Sequence, residues 1–137
     1  MLSQVLIAGS STIVLFLGTI HLAYTFASTK LLPRDPLVVE QMKRDTLVIS
    51  KQTTVWNAWI GFNASHSLGL MLFGATYGYL AIFRFEELLG AKVLLLIGAI
   101  FLLSFVVLAN RYWFRIPLAG VAIAFGLYVV GVAVALV

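Results

Sequence analysis

The sequence contains no cysteine. Disulfides, thiolate metal sites and lipid-modified cysteine anchors are therefore excluded together. Charge is scarce as well: 10% of the 137 residues are charged, where an ordinary soluble domain has about a quarter. The carboxylates Asp35, Glu40, Asp45, Glu86 and Glu87 all lie outside the long apolar runs. That placement disfavours a proton-coupled transporter, which relies on a buried acid. The chain has no HExxH motif, no Gly-rich phosphate loop and no serine-nucleophile motif. It also lacks the basic, aromatic-interleaved patch of a nucleic-acid footprint, so no nucleic-acid partner is expected.

What is present is apolar. Hydrophobic residues make up 62% of the chain and mean hydropathy is +1.07, which points to an integral membrane protein. Crossing the hydrocarbon core takes about 20 apolar residues as a helix. Charged residues divide this chain into four such spans, at 5–26, 55–83, 88–109 and 116–137. No remaining segment is long enough for a soluble domain, so residues 1–137 are expected to form a single membrane unit. The first span lacks a basic n-region and is longer than a signal-peptide core, so it is expected to be a retained helix. The fold class that follows is all-α: an antiparallel four-helix transmembrane bundle.

The net charge of +4 matters through its placement. Lys30, Arg34, Lys43, Arg44 and Lys51 lie between the first two spans, and Arg111 and Arg115 lie between the last two. The other side has Arg84 and Lys92, offset by Glu86 and Glu87. The positive-inside bias places the long loop in the cytoplasm and both termini outside it. Basic loops of this kind face anionic lipid headgroups, so membrane lipids are the expected partners. Within the long loop, Asp35-Pro36 is a helix start, with Asp as N-cap and Pro at the first helical position. Glu40 falls early and Lys43, Arg44 and Lys51 fall late, as the helix dipole favours. With Leu37, Val38, Met42 and Ile49 as an apolar side, the segment 35–52 reads as an amphipathic interfacial helix. The alternative is a lid over a cavity between the first two spans.

The run from Trp56 to Gly69 holds an imidazole, two indoles, two amides and two hydroxyls at the start of a span. Polar groups in hydrocarbon must find partners, which makes the run a candidate site. At about 100° per residue, Trp56, Trp59, Asn63, His66 and Leu70 share one stripe, with Ser67 at its edge. Gly61, Ser65 and Gly69 fall on the other side as a smooth seam for a neighbouring helix. Gly74 and Gly78 form a GxxxG pair, and Ala122 and Gly126 have similar spacing. The other histidine, His21, lies in the first span near Tyr24 and Thr25. Antiparallel spans place His21 and His66 at matched depth, because each lies a similar number of residues from the basic side.

Several readings fit this pair. One is a buried polar network in which His21, Tyr24, Thr25, Asn63 and His66 satisfy one another. Another is bis-histidine ligation of a haem by His21 and His66. A bare metal site is underligated, so none is expected. The last is a site for a lipophilic ligand, with a histidine as hydrogen-bonder or proton carrier and indoles stacked on the ligand. Its candidate residues are His21, Tyr24, Thr25, Trp56, Trp59, Asn63, His66 and Ser67.

Five segments carry a resemblance: His21-Leu22 with Tyr24-Thr25-Phe26, Pro33-Arg34-Asp35, the run from Trp56 to Gly69, Arg111-Tyr112-Trp113-Phe114, and Ile116-Pro117. In these the chain resembles a family of small bacterial four-span membrane proteins of unassigned function. The resemblance implies a multi-pass fold in the bacterial cytoplasmic (inner) membrane, and no activity. Two functions are therefore expected as alternatives. The first is a binding or accessory subunit, homo-oligomeric or part of a larger membrane complex. The second is a membrane enzyme or redox carrier that uses His21 and His66 at a haem or a hydrophobic substrate.

Overall fold

The computed structural model describes residues 1–137. In chain order its elements are α1 (Leu2–Ala27), α2 (Pro36–Arg44), β1 (Thr46–Leu47), β2 (Ser50–Thr54), α3 (Val55–Phe83), α4 (Phe85–Gly90), α5 (Lys92–Tyr112) and α6 (Arg115–Leu136). Helices α1, α3, α5 and α6 are long and apolar enough to cross a membrane. The shortest, α5, has 21 residues, about 32 Å at ~1.5 Å per residue, enough for a hydrocarbon core of ~30 Å. The second span keeps its expected bounds of 55–83.

The third span does not begin at residue 88. Phe85–Gly90 forms its own short helix, with Glu86 and Glu87 in the first turn where the helix dipole favours acid. Arg84 bonds Glu87 at 3.0 Å. The chain then bends at Ala91, whose N–H closes α4 on Glu87 O and Leu88 O and whose carbonyl accepts from Leu94 and Leu95. One residue thus ends one helix and starts the next. Leu88 goes into the core instead of into the span.

The interfacial segment is also shorter than 35–52. Asp35 caps α2 as expected, its side chain accepting from Leu37 N at 2.9 Å with Pro36 next. The helix stops at Arg44, because Asp45 turns to extended backbone and its N–H closes on Gln41 O. Thr46, Val48, Ile49, Thr53 and Thr54 are β-branched and favour strand over helix. They build an antiparallel hairpin, pairing Thr46 with Thr54 and Leu47 with Ser50 around a register irregularity. Ile49 and Lys51 therefore belong to the hairpin, not to the helix. Val55 N bonds Asp45 O at 2.9 Å and ties the hairpin's base to the start of α3.

The chain divides into two compact units, one of Met1–Leu17 with Leu70–Val137, the other of Gly18–Gly69. The first has a core of Ile7, Val14, Leu70, Phe73, Tyr77, Ala81, Leu88, Leu95, Leu102, Ala124 and Tyr128. Phe73 stacks on Tyr77 at 4.3 Å and on Phe101 at 4.6 Å. Glycine permits close approach at Gly74, where a Cβ would lie 2.7 Å from Leu15 N and Ser11 O. At Gly98 a Cβ would collide with the Tyr128 ring. Gly78 is looser, 3.5 Å from the Ser11 Cβ.

Two expected packing surfaces meet no other helix of this chain. A Cβ at Gly61, Gly69 or Gly126 would meet nothing within 4 Å, and Ser65 and Ala122 are exposed. The close approach on α3 is at Gly74 of the Gly74–Gly78 pair, which the sequence also offered, and not along Gly61, Ser65 and Gly69. Spacing of small residues marks a surface that a helix can approach, and the partner's position decides which surface is used.

Candidate functional site

The unit of Gly18–Gly69 contains every residue of the candidate site. His21 comes from α1, while Trp56, Trp59, Asn63, His66 and Ser67 come from α3. His21 Nε2 and Asn63 Oδ1 are 2.9 Å apart. Asn63 Nδ2 donates to Trp59 O at 2.8 Å. That second bond fixes the amide, since the flipped orientation would set two acceptors against each other. Asn63 Oδ1 therefore faces His21, and because a carbonyl oxygen only accepts, His21 holds its proton on Nε2.

The His66 ring lies one turn further along α3, its centroid 5.1 Å from that of His21, with the planes at 65°. The imidazoles thus meet edge to face, which bears out the matched depth. Both rings and the Asn63 amide are half-buried.

Other members of the set are held differently. Thr25 Oγ1 donates to His21 O at 2.8 Å, and Ser67 Oγ donates to Asn63 O at 2.9 Å. Both hydroxyls are buried and bond the backbone of their own helix. Ser67 thus directs its proton to its own helix and not to a base. Tyr24 does not join the histidines. Its hydroxyl accepts from Lys30 Nζ at 3.1 Å, and the same ammonium lies 4.5 Å from its ring centroid. Trp56 and Trp59 stack at 5.5 Å, and Lys43 Nζ lies 5.3 Å from the Trp56 ring. The set resolves into an inner cluster of His21, Asn63 and His66 and an outer pair of aromatic–lysine contacts. Sequence reasoning missed Lys30 and Lys43. Their signal was position, six residues after Tyr24 for the first and at the basic end of α2 for the second.

The arrangement does not fit a haem held by both histidines. Such a haem needs two imidazoles aimed from opposite faces of a slot at one iron. Here the rings touch edge to face and His21 Nε2 is engaged by Asn63. No group of three or more His, Cys, Asp or Glu residues is placed to hold a metal ion. The cluster can offer hydrogen bonds from partly open imidazoles beside indole faces, in a segment with few other polar side chains. Comparison with protein-family models, curated proteins and solved structures finds no match for this chain.

Proposed function

We propose that this is a small polytopic membrane protein of the binding or accessory class, whose His21–Asn63–His66 cluster holds the polar end of a lipophilic ligand. In this reading α1, α3, α5 and α6 form an antiparallel bundle in a bacterial cytoplasmic membrane, with α2 at the cytoplasmic interface and both termini on the other side. The resemblance to small bacterial four-span proteins belongs to the same proposal. The observation that carries the reading is the His21–Asn63 bond at 2.9 Å with the second imidazole against it. Three hydrogen-bonding side chains converge there and stay half-buried, where a ligand can still reach them. The stacked Trp56 and Trp59 rings are on the same helix and suit an apolar body.

The test is native mass spectrometry of protein extracted with its lipids. The wild type is expected to retain a defined lipophilic molecule, and His66→Ala and Asn63→Ala to lose it while helical content is unchanged. Ser104→Ala, whose hydroxyl bonds Ile100 O within α5, is the control that keeps it. Equal occupancy in all four proteins would reduce the cluster to interhelical glue.

A further inference from the structure

The turn of the β1–β2 hairpin is Val48–Ile49. Two-residue hairpin turns favour Gly, Asn or Asp, which tolerate positive φ. No residue in this chain has positive φ, and both turn residues are β-branched. Turn chemistry therefore does not account for them. Core packing does not either: Val48 is fully exposed and Ile49 is 90% exposed. Among large apolar residues, only the terminal Met1 and Val137 are comparably bare. A local rule broken without a gain to the fold points to an interaction outside it.

The surroundings identify the partner. Lys43 and Arg44 precede the hairpin and Lys51 follows its turn. The nearby carboxylates are Glu40, which pairs with Arg44 at 3.6 Å, and Asp45 at the hairpin base. Over residues 28–54, Lys30, Arg34, Lys43, Arg44 and Lys51 outweigh Asp35, Glu40 and Asp45. β2 runs directly into α3, one of the four span-length helices. From Ile49 to Val55 is at most about 20 Å of chain at ~3.3 Å per residue, short enough to reach the headgroup layer beside that span. An apolar tip flanked in sequence by cations and tethered to a span is complementary to anionic lipid.

We propose that the Val48–Ile49 tip inserts into the headgroup layer of an anionic leaflet, with Lys43, Arg44 and Lys51 on lipid phosphates. The proposal rests on the membrane placement of the long helices and is independent of the ligand reading at the histidines. The chain has no cysteine, so Ile49→Cys and Gln52→Cys each give one labelling position. The full-length protein would carry an environment-sensitive fluorophore there, in vesicles with or without phosphatidylglycerol. At position 49 the emission is expected to shift blue, and quenching by aqueous iodide to fall several-fold relative to position 52, in phosphatidylglycerol vesicles. Lys51→Gln in the Ile49→Cys background should reverse part of that protection. Equal quenching at the two positions would overturn the proposal. So would protection that follows protein density instead of lipid charge, which would assign the tip to a second copy of the chain.

Discussion

The two units of this chain join their helices through different polar contacts. In Met1–Leu17 with Leu70–Val137, three buried hydroxyls end on backbone carbonyls of other helices. Ser10 Oγ donates to Ala124 O at 2.7 Å, Tyr77 OH to Leu94 O at 2.6 Å and Tyr128 OH to Leu95 O at 3.0 Å. All three residues are buried, and glycines at 74, 98 and 131 let their neighbours come close. In Gly18–Gly69 the contact between α1 and α3 at the histidines is between side chains, the imidazoles stay half-buried, and Gly61 and Gly69 face open space. The first arrangement is explained by the fold it holds together. The second uses groups that are costly in a membrane and leaves them reachable, which is the physical basis for placing a site there.

The largest effect that would sharpen this contrast is expected at Tyr128. It is 1% exposed and touches Tyr77 edge to face at 5.9 Å. Tyr128→Ala removes a core ring and should cost about 3–5 kcal/mol, as large-to-small aromatic changes do. Tyr128→Phe keeps the ring and gives up the bond to Leu95 O, worth about 1 kcal/mol. Thermal unfolding in detergent, followed by circular dichroism, ranks the two. Similar midpoints for both variants would mean that the hydroxyl, not the ring, holds this region.

The next comparison sets Gly74 against Gly69. A Cβ at Gly74 meets α1 backbone at 2.7 Å, so Gly74→Ala must push a helix away. Overpacking of this kind costs about 1–3 kcal/mol. At Gly69 the same Cβ meets nothing within 4 Å, and Ala is the better helix former by ~0.5–1 kcal/mol. Gly69→Ala should therefore leave the unfolding midpoint unchanged or raise it. A loss at Gly69 equal to that at Gly74 would restore the seam expected from the sequence.

That pair also marks how far the sequence could be read. The four long helices were legible because charged residues bracket the apolar runs, and the α2 start because Asp35-Pro36 is a strong local signal. The meeting of His21 and His66 followed from depth alone, since rise per residue is fixed. Three features were not legible. Gly61-x3-Ser65-x3-Gly69 and Gly74-x3-Gly78 have the same spacing, and only the partner's position separates them. The break at Ala91 sits between Gly90 and Lys92, two local signals outweighed by the apolar stretch from Leu88 onward. The hairpin was hidden because Val48–Ile49 is not a turn sequence, and so the helix was extended through it. Tyr24 was misplaced for a related reason: helical projection gave its side, but not the loop lysine that claims its hydroxyl.

The smallest effect decides whether the histidine cluster stabilises the chain at all. A double-mutant cycle of His21→Ala and Asn63→Ala isolates their coupling, provided the singles create no new contacts. Interhelical hydrogen bonds in membrane proteins average ~0.6 kcal/mol and reach ~1.7, so a coupling in that range is expected. Ser67→Ala should change stability by less than about 0.5 kcal/mol, because its hydroxyl only doubles a carbonyl already within its own helix. The cycle should be read beside ligand occupancy. If coupling vanishes while occupancy still depends on both residues, the bond serves the ligand and not the fold. If coupling is at the top of the range and occupancy is indifferent, the cluster joins the tyrosines and serines of the other unit as glue, and the contrast between the two units disappears.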